Sequence, residues 1–137
     1  MEKEKVREYL KRTKYSHCII QIWENEIVRL QGDLNLIYKY CYRDSSIEVR
    51  QCCNRTIRTI HKMIDKDKLI IEAERSRIKD FESVLDKMKP SQMKRYLTDS
   101  IIYNKSDQEL NEAYFYSDYS KIYNLKIRTI KKLESIL

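Results

Sequence analysis

Few residues in this chain have the types that carry chemistry. Its soft or imidazole donors are four cysteines, Cys18, Cys41, Cys52 and Cys53, and two histidines, His17 and His61. No two cysteines stand in C-x-x-C spacing, and adjacent Cys52 and Cys53 would point about 100° apart on a helix, so both cannot face one zinc ion. Neither histidine is spaced from a cysteine, serine or acid as a nucleophile and its base would be. The expectation is four reduced thiols acting as small hydrophobes, with no metal, no cofactor and no enzymatic activity. A single glycine, Gly32, leaves nothing from which to build a P-loop or a dinucleotide-binding turn. Asp65 and Asp67, in a lysine-rich stretch, read as a charged face rather than a metal site. What remains is cationic chemistry. Lys121, Lys126, Arg128, Lys131 and Lys132, with Ile127 among them, recur near the C-terminus, where such groups suit phosphates and base edges in a major groove. A second stripe, Arg55, Arg58, Lys62 and Lys66, reads as a phosphate track or as a solvated helix face.

These side chains need helices to carry them, and the composition allows little else. The chain has 137 residues, one or two small domains' worth, with Gly32 and Pro90 as its only strong punctuation, which excludes a sandwich of short strands. Lys and Arg number 28 against 21 Asp and Glu, a net charge of +7 that favours a polyanionic partner. At 36% charged and 42% hydrophobic residues the chain is too apolar for disorder and too polar to span a membrane. Its charged start, Met1-Glu2-Lys3-Glu4-Lys5, carries no secretory h-region, so the expectation is a soluble cytoplasmic protein with no membrane partner. Part of the abundance of Ile, Lys, Tyr and Asn fits an AT-rich genome.

Apolar positions step by three and four through Val6, Tyr9, Thr13, Ser16, Ile20, Trp23, Ile27, Leu30, Leu34, Ile37 and Cys41, a heptad seam on one long helix with a bend expected near Gly32. Arg43-Asp44-Ser45-Ser46 reads as a turn, and Ser45 with Glu48 as a capping box opening a second helix. Its seam is Ile57, Ile60, Ile64, Ile71, Ile78, Phe81, Leu85 and Met88, interrupted at Asp67 and Glu74 and stopped by Pro90. Two such helices fold back as an antiparallel hairpin. They bury each other, or they also use Ile20, Trp23, Ile27 and Leu30 to hold a second copy or another partner.

Beyond Pro90 the segments shorten. Ser91 can cap a helix bearing Met93, Tyr96, Leu97 and Ile101; Asn104-Lys105 reads as a loop; Ser106 and Glu109 form another capping box, before Leu110, Ala113 and Tyr114. Tyr116-Ser117 is a short connection. The stretch from Asp118 to Leu133 reads as helix, tight turn and helix, with Asn124 in a left-handed turn, Tyr123 and Leu125 as buried anchors beside it, and Ile130, Leu133 and Leu137 facing inward. The predicted fold is all-α: a long N-terminal helical hairpin over residues 1–89, then a compact helix-turn-helix bundle over residues 90–137.

In that register the last stretch resembles the helix-turn-helix of sigma-factor region four. Asp118-Tyr119-Ser120 stands for its acidic-Ile-Ala start, Tyr123-Asn124-Leu125 for Leu-Gly-Ile, and Arg128-Thr129-Ile130 for the Arg-Thr-Val of its recognition helix. The whole layout, with Glu8-Tyr9-Leu10 in the first helix, is similar to that of the small RinA/ArpU-type late-transcription regulators of phages. That resemblance implies a sequence-specific DNA-binding regulator of a phage or mobile element, working on double-stranded DNA in the bacterial host cytoplasm, in reach of host RNA polymerase. The competing expectation is a helical protein-interaction module that binds and modulates another transcription regulator. Tyr96, Tyr103, Tyr114, Tyr116, Tyr119 and Tyr123, crowded into the last third, favour that reading.

Overall fold

The computed structural model describes residues 2–41, 46–115 and 119–137. Helix α1 spans Lys3–Leu36 and continues as a π-helical turn, Ile37–Cys41; α2 spans Ile47–Asp86. Helix α3, Gln92–Leu97, also continues as a π-helical turn, Thr98–Ile102, and is followed by α4, Asp107–Phe115, and α5, Tyr119–Ile136. No strand occurs among the described residues, so the fold is all-α as read.

The chain divides into two compact units, Met1–His17 with Ser76–Leu137, and Cys18–Arg75. This division does not follow the boundary expected at Pro90, because the first turns of α1 and the last turns of α2 bury their side chains with α3 and α5.

In the unit of residues 18–75, α1 and α2 run antiparallel. Leu30 and Leu34 share a buried cluster with Ile57, Ile60 and Ile64, with Ile27 and Ile37 packed against it. Each buried Leu or Ile contributes about 1.5–3 kcal/mol of transfer free energy. Arg75 reaches across to Glu24 at 2.8 Å. The two acids on the α2 seam are indeed interior: Asp67 and Glu74 are buried. Burial of Asp67, then the charge of Glu26, raises its carboxyl above the usual carboxylate range, with Lys66 and Arg29 opposing. No break interrupts α1 at Gly32. The helix passes through it to Leu36, because the seam continues unbroken on the opposite face and Gly32 itself is exposed.

In the other unit, Val6, Phe81, Val84, Leu85, Met88, Leu97, Ile101, Ile130 and Leu133 form one core. Tyr9 packs on Phe81 with ring centres 6.3 Å apart. A second core joins Tyr96, Leu110, Ile122 and Leu125. The weak half of the α1 seam is tolerated because its hydroxyls turn back on their own helix: Thr13 Oγ1 donates to the Tyr9 carbonyl at 2.9 Å and Ser16 Oγ to that of Arg12 at 3.4 Å.

Two local start signals behave as read, and the start of α2 is capped one residue later than expected. The Ser91 hydroxyl accepts from the Lys94 N–H at 3.2 Å. Ser106 and Glu109 make both arms of their box, at 3.2 and 3.4 Å. The turn residues Arg43, Asp44 and Ser45 lie outside the described residues; Ser46 Oγ accepts from the Val49 N–H at 3.3 Å, capping α2. Tyr116, Ser117 and Asp118 are likewise outside them.

One expectation fails outright. Helix α5 runs without interruption from Tyr119 to Ile136, so no turn forms at Asn124. Ile122, Leu125, Thr129, Ile130 and Leu133 are all buried on one face, and breaking the helix would turn half of that stripe away from its cores. Asn124 is exposed, and Tyr123, expected as a buried anchor, is 63% exposed because it projects from the other side. Among the described non-glycine residues the left-handed one is Asn104, with φ 53°, in the loop before α4.

Candidate nucleic-acid interface

The inner face of α5 is fixed by two cores: Ile122 and Leu125 pack with Tyr96 and Leu110, while Ile130 and Leu133 join Phe81, Leu97 and Val6. Thr129, fully buried between them, satisfies its hydroxyl by donating to the Leu125 carbonyl at 2.7 Å. With that face committed, 100° per residue decides what is left outside. Lys121, Asn124, Arg128, Lys131 and Lys132 are exposed together on the outer side. Ile127 is half-buried, and with Phe115, Lys121, Asn124 and Arg128 it lines a shallow groove beside the end of α4. Lys121 and Arg128 stand two turns apart, about 10 Å along the axis.

Lys126 does not join this group. It projects from the other flank, where its Nζ meets Asp107 Oδ2 at 3.2 Å. Both partners are about half exposed, so the pair contributes less than about 1 kcal/mol, but it occupies the cation.

Asp107 is a residue that spacing could not have singled out. Its other oxygen accepts from the Tyr96 hydroxyl at 2.9 Å, so one carboxylate at the start of α4 ties α3 to α5. A second polar link holds the same array. The Tyr114 hydroxyl hydrogen-bonds to Asp99 Oδ2, Arg95 lies 3.8 Å from that oxygen, and its guanidinium sits 4.5 Å from the Tyr114 ring centre. Burial, then the bond to Asp99, pushes the Tyr114 phenol up to about 12, and burial with Asp107 raises Tyr96 further. Both tyrosines donate through their hydroxyls, and they brace the helix that carries the basic flank. Their sequence signal was an apolar mark on a helix, with nothing to name the acid each would meet.

In the unit of residues 18–75, Arg55, Arg58, Lys62 and Lys66 are all exposed along α2, and Arg55 and Arg58 line a shallow depression with Gln51 and Asn54. Leu30 is buried and Ile27 packs on its cluster within the same chain, which accounts for two of the four residues considered for a dimer; Ile20 and Trp23 are half-buried. Among the described residues no group of three or more His, Cys, Asp or Glu could hold a metal ion, and no helix is long and apolar enough to cross a membrane.

No protein-family model, curated protein or solved structure matches the chain.

Proposed function

We propose that this chain binds double-stranded DNA through the outer side of α5 and regulates transcription there. The observation that carries the reading is the joint exposure of Lys121, Arg128, Lys131 and Lys132, with Asn124 between them, on a helix whose opposite face is held by two cores. A helix about 10 Å wide with its side chains fits a major groove; Arg and Asn are the side chains best suited to read purine edges there, and the lysines reach phosphates. The helix pair that serves is α4 followed by α5, one element earlier than the pair in the sequence resemblance, whose turn at Asn124 is absent. The narrower role, a phage or mobile-element regulator of late genes beside host RNA polymerase in the bacterial cytoplasm, stands on that resemblance alone.

The test is binding of labelled duplexes tiled across the parent element, followed by fluorescence anisotropy over a salt series. Lys131→Ala and Lys132→Ala each weaken binding to all duplexes and reduce the salt slope by about 1, whereas Arg128→Ala flattens the preference among them. Lys126→Ala, on the other flank, leaves the slope unchanged. Absence of salt-sensitive binding to any duplex refutes the proposal.

A second reading has its own observation. Ile22, Val28, Leu36, Tyr38 and Tyr40 are exposed along α1 and its π-helical turn, apolar and aromatic side chains for a protein partner that the chain modulates. Retention of one defined partner after nuclease treatment, with loss on Ile22→Glu and Leu36→Glu, favours it.

A further inference from the structure

In the unit of residues 18–75 the two seams answer each other step for step. Leu30, Leu34 and Ile37 share one apolar cluster with Ile57, Ile60 and Ile64, and an antiparallel register that sets Leu30 against Ile64 also sets Leu34 against Ile60 and Ile37 against Ile57. The next step in that register sets Cys41, the last residue of the π-helical turn, opposite Cys53, the first buried position of the α2 seam. Cys41 and Cys52 are both close enough to be felt at the Cys53 thiol. All three are free: Cys41 half-buried, Cys52 exposed, Cys53 buried. In that cluster the seam is filled by leucine and isoleucine; at this end a cysteine takes the position on each helix.

We infer that Cys41 and Cys53 are a redox-modifiable dithiol that closes to an intramolecular disulfide across the hairpin, with a low-molecular-weight disulfide as oxidant. The Cys41 thiolate attacks one sulfur of the oxidant, forming a mixed disulfide and releasing a small thiolate. The Cys53 thiolate then attacks Cys41 Sγ and displaces the second. One S–S bond breaks in the oxidant and one forms in the protein, the two protein protons pass to the two released thiolates, and the oxidant is reduced by two electrons. Burial, then the neighbouring Cys41, raises the Cys53 thiol above its ordinary value, so it acts second and its step quickens as pH rises. Closure ties together residues twelve apart in the chain and restrains the unfolded state, which stabilises the oxidised form. None of this depends on whether α5 binds DNA.

The experiment uses the full chain, reduced, freed of reductant and incubated with excess oxidised glutathione, then alkylated, digested and weighed. The expected product is a peptide pair joined through Cys41 and Cys53 and lighter by two hydrogens, reopened by dithiothreitol, with a higher melting temperature than the reduced protein. Closure speeds up with pH, and it persists in Cys18→Ser and Cys52→Ser. Cys41→Ser, a half-exposed position whose helicity circular dichroism can verify, gives only glutathione adducts. A stable Cys41 adduct that never closes, closure through Cys52 instead, links only between chains, or thiols that stay unmodified would each overturn the inference.

Discussion

Two asparagines test opposite backbone conformations in the same structural unit. Asn124 sits at an exposed position inside α5, so replacing it changes helix propensity and little else. Asparagine is near the weak end of the ordinary range, about 0.7 kcal/mol below alanine at most, and glycine lies about 1 kcal/mol below. Asn124→Ala should therefore stabilise the protein by about 0.5 kcal/mol, and Asn124→Gly should destabilise it by about 0.3 kcal/mol. A left-handed turn at that residue demands the reverse: alanine would cost about 1 kcal/mol and glycine would relieve strain. Asn104, with φ 53°, supplies the internal control, because there the left-handed conformation is present. Asn104→Ala should cost about 1 kcal/mol and Asn104→Gly should be neutral or stabilising. Urea unfolding followed by circular dichroism resolves these differences, since 0.5 kcal/mol moves a midpoint by roughly 0.2–0.5 M for slopes of about 1–3 kcal/mol per molar. If Asn124→Gly stabilises and Asn124→Ala destabilises, α5 is broken at that point and the reasoning about its buried stripe is wrong.

Gly32→Ala gives a simpler readout, because a Cβ built there meets nothing within 4 Å and α1 is continuous through the position. It should raise stability by about 0.5–1 kcal/mol in the same assay, and a loss would mean that the helix needs the glycine. Asp67 predicts a pH dependence. Its carboxyl is raised in the folded chain, first by burial and then by Glu26, so the native state holds a proton that the unfolded chain has already lost. Stability contributed at acid pH therefore falls as pH climbs from the ordinary aspartate value through the raised native one, and is fully lost above it. Asp67→Asn should remove that fall, so the urea midpoints of variant and wild type diverge between acid and neutral pH; parallel profiles would place the cost elsewhere.

The features that spacing revealed and those it concealed differ in a physical way. A heptad seam is a periodic property of one segment, so the burial of Phe81, Leu85 and Met88, and even of Thr13, Ser16, Asp67 and Glu74, follows from position alone. Capping boxes are equally local, as Ser106 and Glu109 demonstrate. The bond from Tyr96 to Asp107 and the contact of Arg95 with Tyr114 depend on how α3, α4 and α5 pack, and no periodicity within one helix announces them. Asn124 is the instructive case, because two local signals disagreed there. A motif register asked for a turn, while Ile122, Leu125, Thr129, Ile130 and Leu133 carried a helical stripe across the same point. An exposed asparagine costs a helix only tenths of a kcal/mol, whereas stripping one of those side chains from its core costs about 2–5 kcal/mol, so the stripe decides. The same inequality fixes the outer side of α5: because the buried stripe cannot rotate away, Arg128, Lys131 and Lys132 have no conformation in which they all turn inward. Whatever meets that side must accommodate their charge. A duplex does so by releasing counterions, which is why the salt slope, rather than affinity at one condition, is the measurement that bears on function.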